Sequence, residues 1–315
     1  MDLTVLSGSS HPVLAQAICT QLEIPLASTT ITRFSNENLK VRIDESVRGH
    51  DVFVVQTSCP PVSDNLVELL MFLDALRGAS AGRITAVLPY FPYARSDKKD
   101  EPRISITARL VAELIQTAGA DRVLTLDMHS PQIHGFFKIP VDHLTAVPLL
   151  CESLAQDEEL MSLPVVVAAD VGEAKDAGRY ARRLRAPLAI VDKRRSGDDE
   201  KARLAHLVGD VRGRHAVIVD DEMATGGTVF EAATFLAAQG AASVRAAVVH
   251  PVMSGPASDR LRSSNLARLL VCDTLPVPAA KHDPRITTVS VAPLLAEAIR
   301  RIHGGDSVAA MMSMR

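Results

Sequence analysis

Short apolar runs recur along the chain at Leu3–Leu6, Asp51–Gln56, Arg83–Leu88 and Arg122–Leu126, and again at Val165–Ala168, Leu188–Val191, Ala216–Val219, Val244–Val249 and Leu269–Val271. They are rich in β-branched residues and lack strict alternation, which is how strands covered on both faces read. Between them lie stretches apolar at helical spacing. Leu66 to Leu76 is one, and Ala108 to Ile115 is another. Strands alternating with helices predict βαβ units and mostly parallel sheets. Leu39 to Ile43 alternates instead and predicts a half-buried strand. The pattern restarts near Pro164, so the chain is expected to form two similar doubly wound α/β domains, 1–146 and 147–315. Val291 to Ile302 predicts a last amphipathic helix, placed to pack back on the first domain.

A length of 315 residues with 47% hydrophobic content suits two ordinary cores. The net charge of −3, the absence of Trp and only three Tyr leave no electrostatic footprint or stacking platform for nucleic acid. Cys19, Cys59, Cys151 and Cys272 share no metal spacing and read as reduced thiols. Met1-Asp2-Leu3 opens no signal-like segment, and no apolar run is long enough to span a bilayer. A cytoplasmic protein with no membrane partner is expected.

The most specific chemistry lies in residues 216–228, Ala-Val-Ile-Val-Asp-Asp-Glu-Met-Ala-Thr-Gly-Gly-Thr. A buried strand ending in two carboxylates places them at the sheet edge where open α/β folds bind ligands. Asp220 and Asp221 can accept hydrogen bonds from vicinal ribose hydroxyls. Thr225, Gly226, Gly227 and Thr228 can offer backbone N–H groups and hydroxyls to a phosphate at the start of the next helix. The plainer alternative is a turn in which the acids cap the helix and the glycines allow the bend.

Other strand ends carry complementary groups. His129 follows Arg122–Leu126, and Asp170 follows Val165–Ala168. Together they could form a loose Mg²⁺ site completed by water and phosphate oxygens. Pro89 to Arg103 combines aromatics with cations, and Arg95 could fork onto a phosphate. Asp192-Lys193-Arg194-Arg195 leads into the polar stretch Ser196 to Lys201, which predicts a mobile loop able to bring Lys193 and Arg195 over a transferring phosphoryl group. Phe34 could cover an adenine face while Asn36 reads its edge, although both could equally serve packing within the chain.

Taken in order, these segments resemble the ribose-phosphate pyrophosphokinase family from end to end. Ser7-Gly8-Ser9-Ser10-His11-Pro12, Phe34-Ser35-Asn36, Tyr93 to Arg103, His129 to Phe137, Ile139 to Leu144 and Asp192 to Arg195 all match, together with the sugar-phosphate loop. Simple phosphoribosyltransferases share only that loop. The resemblance implies two tandem phosphoribosyltransferase-like domains and Mg²⁺-dependent transfer of the ATP diphosphoryl group to ribose 5-phosphate. It also implies homo-oligomers built from dimers and commonly hexameric. By position it implies ATP contacts at Phe34, Asn36, Arg95, Asp97 and His129, metal ligation by His129 and Asp170, and catalytic cations at Lys193 and Arg195. Asp220, Asp221 and Thr225 to Thr228 fall at the ribose 5-phosphate site.

The chain departs from the family pattern at Ala224, where a third loop acid is usual, and at Asn36-Glu37-Asn38, where Asn-Gly-Glu is usual. Ser96 replaces a common Gln, and Glu173 and Asp176 replace a Gly and an Arg. Ser46-Val47-Arg48-Gly49 resembles the family's phosphate and ADP control segment, whereas Ser307 to Met312 lacks the second Ser and the Phe usual there. These changes leave two further readings open, a non-catalytic regulatory homologue and a phosphoribosyltransferase.

Overall fold

The computed structural model describes residues 1–194 and 203–312. The chain divides into two compact units, the first made of residues 1–145, Thr274–Pro276 and the segment from Val291, the second of Ala146–Asp273 and Val277–Ser290.

The first unit runs β1 (Leu3–Ser7), α1 (Pro12–Leu22), β2 (Thr29–Arg33), β3 (Leu39–Ile43), β4 (Asp51–Val55), α2 (Val62–Gly78), β5 (Arg83–Leu88), α3 (Thr107–Ala118), β6 (Arg122–Leu126), a 3-10 turn (Pro131–Phe136) and β7 (Val141–Leu144). Its five-stranded sheet has the order β1-β4-β5-β6-β7, and all neighbours are parallel. The β2–β3 hairpin stands apart as a two-stranded antiparallel ribbon. β4 is buried along its whole length, as its unbroken apolar run requires. α3 buries Ala108, Val111, Ala112 and Ile115, the stripe that its spacing predicts.

The second unit runs α4 (Val147–Leu154), α5 (Glu158–Ser162), β8 (Pro164–Ala168), α6 (Ala174–Leu184), β9 (Leu188–Arg194), β10 (Arg203–Val208), β11 (His215–Glu222), α7 (Gly227–Ala238), β12 (Ser243–His250), α8 (Ala257–Ser263), β13 (Arg268–Cys272) and β14 (Ile286–Val289). The sheet order is β10-β9-β8-β11-β12-β13-β14, parallel except for the antiparallel β10–β9 pair at one edge. Val165, Val167, Ile218, Val244, Ala246 and Val248 belong to one core beneath this sheet. Each fully buried Val, Leu or Ile contributes roughly 1.5–3 kcal/mol relative to an exposed one.

The chain then returns to the first unit as α9 (Ala292–Gly304) and α10 (Ala309–Met312), and α9 packs against α1. A buried carboxylate fastens it. Asp51, at the start of β4, accepts a bidentate pair of hydrogen bonds from Arg83 at 2.7 and 2.5 Å. Arg83 also donates to the Ile302 carbonyl at 2.8 Å, and His303 Nδ1 lies 2.9 Å from the same carboxylate. Removing one partner from such a set leaves a desolvated charge behind. Asp51→Asn should therefore lower stability by about 2 kcal/mol. An unchanged melting temperature would show that the anchor carries no net stabilisation.

Candidate active site

In the second unit, β11 runs on through Glu222, so Asp220 and Asp221 occupy the carboxyl end of the strand rather than the loop after it. The reason is continued pairing with β12, with Asp220 opposite Val248 and Glu222 opposite His250. Gly226 caps α7 with φ 73° and ψ 3°, a left-handed conformation that glycine adopts without steric cost. A Cβ there would also collide with the Phe230 ring. The helix opens at Gly227, so Gly227 and Thr228 sit in its first turn.

The structure adds a residue to this edge. Glu173, which precedes α6, brings a carboxylate beside Asp220 and Asp221 so that one oxygen from each lies within 4.8 Å of the others. Burial pushes the Asp220 carboxyl well above the ordinary carboxylate range, and the neighbouring charges of Asp221 and Glu173 push it the same way. A cluster of this kind holds excess negative charge that a hard cation would relieve, and carboxylate oxygens are the donors Mg²⁺ favours. Asp170, at the end of β8, accepts a 3.2 Å hydrogen bond from the Glu173 N–H, so the same short segment orders both acids. The sequence shows this strand end to be acidic. Its convergence on Asp220 needs the parallel β8–β11 pairing, which brings Ala168 opposite Val219.

In the first unit, Phe34 and Asn36 lie in the β2–β3 turn, closed by hydrogen bonds from Phe34 N–H to the Asn38 carbonyl and from Glu37 N–H to the Phe34 carbonyl, both 2.9 Å. Phe34 is 49% exposed, so its ring face is available to a ligand. Glu37 holds φ 69° at the position where the family pattern has glycine, which locates the departure at a left-handed residue. The turn is tied to the first turn of α2 by Arg33 to Asp64 at 2.6 Å. Tyr93, in the loop after β5, meets the same first turn through Ser63 at 2.9 Å. Two segments far apart in sequence, one carrying Phe34 and Asn36 and the other Arg95 and Asp97, thus converge on one helix start.

His129 is exposed in the loop after β6, where the neighbouring Met128 N–H donates to His143 Nε2 at 2.8 Å. It belongs to the first unit and Asp170 to the second. Lys193 is the penultimate residue of β9, paired with Leu204 of β10. The strand reaches past its expected end at Val191 because β10 provides an antiparallel partner. Arg195 and the polar stretch through Lys201 lie outside the described residues.

A doubly wound sheet ending in paired carboxylates and a glycine-opened helix has the donors and acceptors that a sugar phosphate requires. A profile of the N-terminal domain of ribose phosphate pyrophosphokinase matches residues 3–119, and one of the phosphoribosyl synthetase-associated domain matches 198–313. The ribose-phosphate pyrophosphokinase of Deinococcus radiodurans is 48% identical over 314 residues, covering 99% of this chain and 98% of that protein. That of Caldanaerobacter subterraneus is 47% identical over 312 residues, covering 99% and 98%. The crystal structure of phosphoribosylpyrophosphate synthetase from Mycobacterium smegmatis superposes with a TM-score of 0.91 at 41% identity, covering 97% of this chain and 100% of that one. The chain belongs to the ribose-phosphate pyrophosphokinase family.

Proposed function

We infer that the protein is a ribose-phosphate diphosphokinase that converts ATP and ribose 5-phosphate into phosphoribosyl pyrophosphate and AMP. The observation that carries this reading is the edge of β11, where two carboxylates meet a helix start opened by Gly226 and Gly227. Asp220 and Asp221 accept from the ribose hydroxyls, and Thr225 to Thr228 hold the 5-phosphate. Phe34, Asn36, Arg95, Asp97 and His129 bind ATP, with the exposed Phe34 ring against the adenine.

The anomeric oxygen attacks the β-phosphorus of ATP as the bond from that phosphorus to the α,β-bridging oxygen breaks. AMP leaves with the bridging oxygen, and the proton of the anomeric hydroxyl passes in the end to solvent. Little covalent help is needed, so in-line positioning and charge neutralisation carry the rate. Lys193 and Arg195 supply the positive charge at the transferring group. His129 and Asp170 are the proposed Mg²⁺ ligands, with the Glu173, Asp220 and Asp221 oxygens at the ribose end. When bound, Mg²⁺ neutralises phosphate charge and polarises the phosphoryl group.

The proposed assembly is a homo-oligomer built from dimers, up to a hexamer. Among the described residues no helix is long and apolar enough to cross a membrane. Reduced thiols and a phosphorylated substrate pair accord with a cytoplasmic setting.

Purified protein incubated with ATP, ribose 5-phosphate and Mg²⁺ should release AMP in step with phosphoribosyl pyrophosphate. A second reading, a regulatory homologue, is favoured by Ala224 and Glu173, which alter the ribose edge. No AMP across varied donor nucleotide and phosphate conditions would favour it instead.

A further inference from the structure

The loop from β11 to α7 is strapped along one side by the segment after β12. Three consecutive carbonyl oxygens of the loop accept hydrogen bonds from that segment. Met223 accepts from Met253 N–H and Ala224 from Ser254 N–H, both at 2.9 Å. Thr225 accepts from the Arg260 guanidinium, projecting from α8, at 3.0 Å. Met253 is itself held in a left-handed conformation, φ 46°, and its carbonyl accepts from Lys281 Nζ at 2.6 Å.

A carbonyl facing a bound phosphate repels it, so engaging these three oxygens elsewhere favours a loop that presents N–H groups to an anion. Two of the three donors are backbone amides. The third is a full positive charge. The same Arg260 Nη1 comes within 3.1 Å of where a Cβ on Gly227 would stand, so the guanidinium lies against the opening residue of α7. Guanidinium carries further N–H donors, and its charge stays within Coulomb range of a phosphate at that helix start.

We propose that Arg260 is a positioning residue of the ribose-phosphate site, which fixes the Thr225 carbonyl and supplies charge at the phosphate end, and so sets affinity for the substrate's 5-phosphate. The inference rests on the diphosphokinase reading. Arg260 is exposed, so its replacement should leave the fold intact, and a melting curve verifies this. Arg260→Ala should raise the ribose 5-phosphate KM about tenfold while kcat stays within about twofold and the ATP KM does not change. Arg260→Lys should recover part of the loss, since charge remains but the fork does not.

Calorimetric titration with ribose 5-phosphate alone should reproduce the same ordering of wild type, Lys and Ala. Parallel losses of ATP and ribose 5-phosphate affinity would show a merely structural role and overturn the proposal, as would an unchanged ribose 5-phosphate constant or a fall confined to kcat. If wild type binds ribose 5-phosphate but forms no AMP, the catalytic reading fails, and the titration still decides the role of Arg260.

Discussion

Alanine at Lys193 or at Arg195 is expected to lower turnover by at least about a hundredfold while ATP affinity stays nearly intact. Diphosphoryl transfer spreads negative charge over equatorial oxygens as the bridging bond lengthens. A cation that meets this charge only then lowers the barrier without tightening the ground state. Lys193 stands at the end of β9, so its backbone is held by the ladder with β10 while the chain continues toward Arg195. Arg195→Lys should recover little, because a point charge does not reproduce a planar fork. The measurement is steady-state kinetics with separate ATP and ribose 5-phosphate constants. If the ATP constant collapses along with turnover, the two residues hold the bound nucleotide and the transition-state role is lost.

The central strands of both sheets were legible from sequence because burial on two faces demands a continuous apolar run, as in β4, β5, β8 and β11. The strands that went unread are β7, β10 and β14 at sheet edges and β2 in the hairpin. Ile286-Thr-Thr-Val289 and Thr29-Thr-Ile-Thr-Arg33 have little apolar content because edges and ribbons are partly solvated. Missing β10 also shortened β9 and placed Lys193 beyond the strand instead of within it.

At the candidate site, Asp220, Asp221 and Thr225 to Thr228 stand out in the sequence because their chemistry is contiguous in one stretch of chain. Arg260 was not, since a lone Arg in a short helix carries no signal until the fold lays α8 along the loop. Glu173 was visible as a departure from the family pattern. Its partners became visible only through strand pairing.

Asp220→Asn should stabilise the substrate-free protein while impairing its activity. Burial, with the adjacent charges of Asp221 and Glu173, raises the Asp220 carboxyl well above its ordinary value near 4. Between that ordinary value and the raised one, the native state keeps a proton that the unfolded chain has released. The unfolded state then binds fewer protons, so stability falls as pH rises through this window and stays reduced above it. Asparagine removes the charge and the dependence together. The melting temperature without substrate or Mg²⁺ at neutral pH should rise by about 2–4 °C for each kcal/mol of repulsion relieved. Glu173→Gly should give a smaller rise, because it removes one neighbouring charge and leaves Asp220 ionisable. The same Asn loses a charged acceptor for a ribose hydroxyl, worth about 1.5–3 kcal/mol, which corresponds to roughly a ten- to hundredfold loss in kcat/KM for ribose 5-phosphate. Added Mg²⁺ should stabilise wild type more than either variant, since the acids that repel one another are those a cation draws together. Thermal melts from pH 4 to 8, with and without Mg²⁺, read these terms separately from kinetics. A lower melting temperature for Asp220→Asn across that range would mean that the carboxylate is satisfied in the native state, and that the acidic edge of β11 is a structural network rather than a site held ready for substrate.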